Sequence, residues 1–169
     1  MSGGLGGGGI LLGVISDTHG LVRPEALRAL HGSQLIVHAG DIGGPEVLQT
    51  LRSVAPVVAV RGNNDRGRWA DRLKGTEIVQ VGDVRLYVLH SIRELDLDPA
   101  AAGFRAVISG HSHRPSVEER EGVLYLNPGS AGPRRFSLPI ALARLRVRAG
   151  LLEAEICELP VPPRGPIIS

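Results

Sequence analysis

The sequence predicts an α/β domain that begins as a parallel sheet and continues as hairpins. Two observations carry this. Between residues 10 and 62, short apolar runs alternate with helical segments, the order that builds parallel strands with right-handed crossovers. From residue 77 onward, apolar runs are joined by two-residue links at Gly82-Asp83 and Ala149-Gly150, the spacing of hairpins. The 169 residues suffice for one domain with a sizeable core.

In chain order, ILLGVIS (10–16) is a buried-strand pattern, and PEALRALHG (24–32) is a helix with proline first and glycine past its end. QLIVHAG (34–40) is the second strand, PEVLQTLRSVA (45–55) the second helix and VVAVRG (57–62) the third strand. A hairpin over 77–90 follows, then a short helix with Asp98 as its cap, Pro99 first and Gly103 as its stop. AVIS (106–109), SVEERE (116–121) and VLYLN (123–127) are strands, and 138–148 with 151–159 forms the last hairpin. There Arg144, Arg146 and Arg148 alternate with Ala143, Leu145 and Val147, so one face of the hairpin is expected to meet water.

Composition narrows the class. Aromatics are 3% of the chain, so Val, Ile, Leu and Ala must build the core. The net charge is only +2, too weak to argue for a nucleic-acid partner. Cys157 is the sole cysteine, which excludes an intrachain disulfide and a cysteine metal cluster. No apolar run is long enough for a membrane span or signal peptide, and a cytoplasmic location is expected. Residues 1–9 are expected to be a glycine-rich tail, 10–159 the domain, and 160–169 a proline-rich strap packed on it.

The residues that follow each apolar run are more telling. Asp17 and His19 follow the first, Asp41 the second, and Asn63, Asn64 and Asp65 the third. His90 ends the hairpin, and His111 and His113 follow AVISG. Taken singly, the Asp and Asn residues fit turns, and His90 fits a satisfied strand-end histidine. His111 and His113, two apart, share one side of an extended segment. Taken together, turn chemistry does not explain why imidazoles gather at the same ends. In open α/β sheets the carboxyl ends of strands converge on the ligand site. Imidazole with carboxylate and amide oxygen suits Mn, Fe, Zn or Ni, and this donor set exceeds the needs of one tetrahedral ion. His38, inside its strand, is expected to support the ligands from behind. His31 is a residue of a surface helix end.

These motifs, D-T-H (17–19), G-D (40–41), G-N-N-D (62–65), His90, G-H-S-H (110–113) and N-P-G-S (127–130), resemble the calcineurin-like metallophosphoesterases. The similarity is greatest to their small YfcE-like phosphodiesterase branch and runs from about residue 10 to 159. It implies a two-sheet β-sandwich flanked by helices (αββα) with a dinuclear site at the strand ends. Asp17, His19 and His113 would hold one divalent ion, Asn63, His90 and His111 the other, and Asp41 would bridge them. Manganese is the expected metal, with Ni, Fe, Zn or Mg as alternatives. Asp41, Asn64 and Asp65 are the expected catalytic positions, Asp65 by orienting a neighbour. Asn64 and Arg134 are the expected substrate contacts, and Asn127 would support the site. The implied activity is phosphoesterase, with a phosphodiesterase preferred, through attack on phosphorus by a metal-bridging hydroxide.

Two departures matter, and one is that His90 is followed by Ser91-Ile92 where many members of this branch carry glycine and a further polar residue. Many members of the family carry histidine after the metal-binding asparagine and use it to protonate the leaving group. Asn64 stands there and cannot act as an acid. This favours esters whose leaving group departs without help. The expected partner is a small phosphate-ester substrate, with a homo-oligomer conceivable and no membrane. Two rivals are a non-catalytic scaffold, as in the retromer subunit resembling this family, and a nuclease. The full set of ligand-type residues favours an enzyme over the first, and the weak charge disfavours the second.

Overall fold

The computed structural model describes residues 9–162. The expected glycine-rich tail, up to residue 8, and the strap beyond residue 162 lie outside the described residues.

Two five-stranded sheets form the frame. The first contains β1 (Ile10–Ile15), β2 (Leu35–His38), β3 (Val57–Ala59), β9 (Ala141–Arg148) and β10 (Leu151–Glu158), in the order β10-β9-β1-β2-β3. Here β1, β2 and β3 run parallel, joined through α1 (Pro24–Leu30) and α2 (Pro45–Arg52), while β9 and β10 are antiparallel. The second contains β4 (Thr76–Val81), β5 (Val84–Leu89), β6 (Ala106–Ile108), β7 (Ser116–Arg120) and β8 (Val123–Asn127), in the order β4-β5-β6-β8-β7. Here β4 and β5 form the expected hairpin, β5, β6 and β8 are parallel, and β4 and β7 are antiparallel at its edges. Each sheet therefore sends three parallel strand ends toward the same edge of the sandwich.

Apolar alternation explains the layers. Leu12, Val14, Val37 and Leu145 from the first sheet meet Leu86, Val88, Ile108 and Leu126 from the second, all fully or nearly fully buried. Complete burial of such a side chain contributes about 1.5–3 kcal/mol. On the other side of the first sheet, Ile15 and Ile36 pack on Leu30, Val47 and Leu51 of the two helices. The outer face of the second sheet has a thinner cover, in which Tyr87, Leu89 and Val107 pack against Phe104, Leu95 and Leu97. That cover corrects the short helix expected after Asp98. Asp98 does accept from the Ala101 amide (3.3 Å), and Ala102 bonds back to the Asp98 carbonyl (3.0 Å), but the segment makes turns only. One turn before Gly103 is too short to repay helix nucleation. Conversely, α3 (Arg68–Asp71) and a 3-10 turn at Ile92–Glu94 lack a sequence pattern of their own.

The arginine row lies as alternation requires. Ala143, Leu145 and Val147 are buried, and Arg144 and Arg146 stand opposite Glu155 and Glu153 of β10. The β9–β10 link has positive φ at both Ala149 (49°) and Gly150 (75°), the geometry of a type I′ hairpin turn. Trp69 anchors α3 against the helix layer.

Candidate metal centre

Five of the six parallel strand ends deliver the polar residues to one place. Asp17 and His19 follow β1, Asp41 follows β2, Asn63 and Asn64 follow β3, His90 follows β5, and His111 and His113 follow β6. Asp17, His19, Asp41, His111 and His113 all have left-handed backbones, with φ between 45° and 69°. Non-glycine residues rarely adopt this region, and clusters of them mark functional sites. Here the left-handed residue turns each chain sharply as it leaves its strand, so side chains two apart in sequence converge.

The donor atoms face each other without hydrogen atoms to separate them. His90 Nδ1 donates to the Ala39 carbonyl at 2.7 Å, which leaves Nε2 as a bare acceptor. That acceptor lies 3.3 Å from Asp41 Oδ2, another acceptor, and has no hydrogen-bond partner. Asp17 Oδ2 is satisfied by Ser16 Oγ (2.7 Å) and the His111 amide (3.1 Å). Its Oδ1 is buried without a partner and faces His113 Nε2 at 3.4 Å and His19 Nε2 at 3.9 Å. Buried lone pairs pointed at one another are repulsive unless a cation lies between them. Two such groups form, Asp17-His19-His113 and Asp17-Asp41-His90. Asp41 Oδ2 stands between His90 and His19 (3.8 Å), and His111 Nδ1 lies 3.3 Å from Asn63 Oδ1 beside the second group. The residues present therefore fit a pair of divalent cations.

The protonation pattern follows from the same contacts. Burial would raise the Asp41 carboxyl, but contact with His90 and the Asn64 amide holds it well below the usual range. Asp17 is also lowered: burial pushes it up, and His113 and Ser16 outweigh that. Burial pushes His90 down, but Asp41 and the Ala39 carbonyl bring it above its ordinary value. A proton and a cation thus compete for His90 Nε2.

The other expected residues take distinct places. Asn64 lines the cleft, with its amide on Asp41 Oδ1 (2.9 Å) and its side chain on Oδ2 (3.0 Å). Asp65, expected among the catalytic positions, is buried away from the cleft. Its carboxylate accepts from the Ile42, Gly43 and Gly62 amides at 2.9, 3.0 and 2.8 Å, so it ties the loop of Asp41 to the loop of Asn63. Asn127 supports the GHSH turn, donating to the Gly110 carbonyl (3.0 Å) and Ser112 Oγ (3.1 Å). Arg134 lines the cleft and donates to the Val161 carbonyl at 3.3 Å.

His38 is fully buried behind the site. The Gly40 amide donates to its Nδ1 (3.1 Å), so the proton resides on Nε2 and reaches Thr18 Oγ1 (3.0 Å), whose hydroxyl donates to the Ile42 carbonyl (2.8 Å). Burial drives its pKa down to about 3. The unfolded chain, titrating near 6.5, binds this proton first, so stability is present above that value and declines as pH falls. In metal-free protein this group should cost about 2 kcal/mol between pH 7 and pH 5. Urea unfolding of wild type and His38→Gln at both pH values checks this. An identical pH dependence would remove His38 as the cause.

Sequence reasoning passed over Arg135, which lines the cleft with His19, Asp41, Asn63, Asn64, His111, His113, Pro133 and Arg134. The cleft has a volume of about 320 Å³. It also passed over Ser16, whose hydroxyl holds Asp17. Neither carries a signal apart from its place beside a motif.

A two-sheet sandwich with a histidine-carboxylate cluster at its strand ends defines a metal-binding αββα protein. Residues 10–150 match the calcineurin-like phosphoesterase superfamily domain, and the chain belongs to that family. A probable metallophosphoesterase of Methanothermobacter thermautotrophicus is 34% identical over 168 residues, which covers 90% of this chain and 95% of the relative. A phosphodiesterase of Methanocaldococcus jannaschii is 27% identical over 70% of this chain and 82% of its own length. Among solved structures, Vps29 of Chaetomium thermophilum shares the fold, with a TM-score of 0.71 at 18% identity over 89% of this chain and all of its own. No described helix is long and apolar enough to cross a membrane.

Proposed function

We propose that this chain is a dinuclear metal-dependent phosphodiesterase acting on a small phosphate ester. The observation that carries the reading is the pair of buried, unpartnered atoms His90 Nε2, 3.3 Å from Asp41 Oδ2, and Asp17 Oδ1, 3.4 Å from His113 Nε2, which two cations would satisfy together. Asp17, His19 and His113 would hold one ion, Asn63, His90 and His111 the second, with Asp41 shared. Manganese suits this mixture of imidazole, carboxylate and amide oxygen. Such a pair of ions supplies positive charge for phosphoryl oxygens and lowers the pKa of water toward neutrality. The chain itself positions the donors, through Ser16 on Asp17, Asn64 on Asp41 and Asn127 on the GHSH turn. Arg134, which lines the cleft, would offer a guanidinium to a phosphate held there. Diesters are favoured by the name of the methanogen relative and by Asn64, an amide that leaves proton transfer to solvent.

The test is metal analysis, then hydrolysis of bis(4-nitrophenyl) phosphate and 4-nitrophenyl phosphate with added Mn or chelator. The diester should be cleaved faster, and only with metal. Metal bound without hydrolysis of either ester would make the chain a metal-binding scaffold, and preferential cleavage of single-stranded DNA would make it a nuclease. Calorimetric Mn titrations should also show affinity falling from pH 8 to pH 6, because contact with Asp41 raises the His90 pKa above its ordinary value. An affinity independent of pH would exclude His90 as a ligand.

A further inference from the structure

The cleft lined by the ligand cluster is also lined by a cationic loop, Pro133-Arg134-Arg135, followed at once by Phe136. We propose, on the basis of the phosphoesterase reading above, that this loop selects a nucleotide pyrophosphate, with Arg135 and Arg134 on the second phosphate and Phe136 against the base.

Three observations converge. First, charge: among the described residues neither Arg134 nor Arg135 forms an ion pair. Among the described residues the polar contact of Arg134 is to a neutral acceptor, the Val161 carbonyl. A lone diester carries one negative charge, which the cation cluster alone would match. Two further guanidiniums suit a substrate with additional phosphate oxygens, which arginine binds bidentately. Second, proton supply: the cleft is lined by His19, His111 and His113, all within the ligand set, and by amides and arginines. No free acid remains to protonate an alkoxide. A phosphate leaving group, with a second pKa of about 6, departs as an anion without one. Third, an aromatic is displayed: Phe136 is 87% exposed, the highest value among the large hydrophobic side chains described, and has φ at 53°. A bulky residue in that conformation is uncommon, and an exposed ring is a stacking platform for a planar base. Phe136 does not line the cleft, whose volume of about 320 Å³ is at the small end for ligand sites. A pyrophosphate seated inside would leave its nucleoside outside the cleft, and Phe136 is the residue that follows the cleft-lining Arg135.

The chemistry balances without a further reactant. A water oxygen bonds to the nearer phosphorus as the P–O–P bridge breaks. The bridging electron pair leaves with the far phosphate. The protons from water pass to solvent, and two phosphate monoesters are released.

The test uses full-length protein. Calorimetry measures binding of adenosine 5′-(α,β-methylene)diphosphate, which cannot be cleaved at its bridge, and of methylenediphosphonate, which lacks the nucleoside. Phe136→Asn keeps a residue that tolerates the left-handed backbone and should weaken the nucleotide analogue about tenfold, with a smaller effect on methylenediphosphonate. Arg135→Gln should weaken both about tenfold or more. In Mn-loaded protein, Arg135→Gln should also lower kcat/KM for diadenosine pyrophosphate more than for bis(4-nitrophenyl) phosphate. Analogue affinities within twofold of wild type in both variants would overturn the proposal, as would wild-type cleavage of the aryl diester with none of the pyrophosphate. Failure to cleave either compound with metal bound would instead overturn the phosphoesterase reading, while the binding measurements still decide whether the loop recognises nucleotides.

Discussion

Asp41→Asn is expected to abolish the paired metal centre and lower hydrolysis on the order of 10³-fold, with the fold intact. In the native site Oδ1 accepts the Asn64 amide at 2.9 Å, and Oδ2 lies between His90 Nε2 and His19 Nε2. An asparagine retains the first contact by placing its carbonyl oxygen on the Asn64 amide. Its NH₂ group then falls where Oδ2 was, and it can donate to the bare His90 Nε2. The acceptor pair that demands a cation becomes an ordinary hydrogen bond, satisfied by protein alone. The exposed Asn64 side chain, which now donates to Oδ2 at 3.0 Å, can turn to solvent. Metal content should fall, and the thermal midpoint of metal-free protein should match or exceed that of wild type. Full metal occupancy with activity within tenfold of wild type would show that Asp41 is not the shared ligand.

The site was more legible in the sequence than the sheet that carries half of it. Asp17, Asp41, His90 and the GHSH histidines could be marked because each follows an apolar run, and strand ends converge in this class of sheet. The pairing of β5, β6 and β8 could not be read. The AVI run of β6 carries no alternation long enough to define a partner, and parallel order depends on contacts remote in sequence. The same limit applies to Asp65. Its place after the two asparagines suggested that it orients a neighbour but not which one, since its three backbone partners come from two different loops. The left-handed turns at Asp17, Asp41 and His111 were also hidden, since only the fold imposes that backbone on residues that rarely choose it. Arg135 differs again, because a single arginine among many becomes distinctive only through the cavity it faces.

Gly62→Ala tests whether the close approach of these loops governs the chemistry. A Cβ at Gly62 would collide with the Asp41 amide nitrogen and Oδ1, and would lie 2.8 Å from Asp41 Cα. The neighbour is mostly backbone, so no side-chain rotation relieves the clash. Gly62 also cannot retreat freely, because its own amide donates to Asp65 Oδ2 at 2.8 Å. The loop of Asp41 must therefore shift against the end of β2, where His90 donates to the Ala39 carbonyl. Overpacking of this kind costs about 1–3 kcal/mol, and a displacement of about 1 Å at a reacting centre costs on the order of 10²-fold in rate. The variant should fold, melt earlier, bind less metal and lose activity to that extent. Gly75→Ala is the matched control, since nothing lies within 4 Å of its added Cβ, and it should stay within about 0.5 kcal/mol of wild type. Equal activity and metal content in Gly62→Ala and Gly75→Ala would mean that the Asp41 loop yields without consequence, and that the register between the β2 and β3 ends does not set the position of the carboxylate.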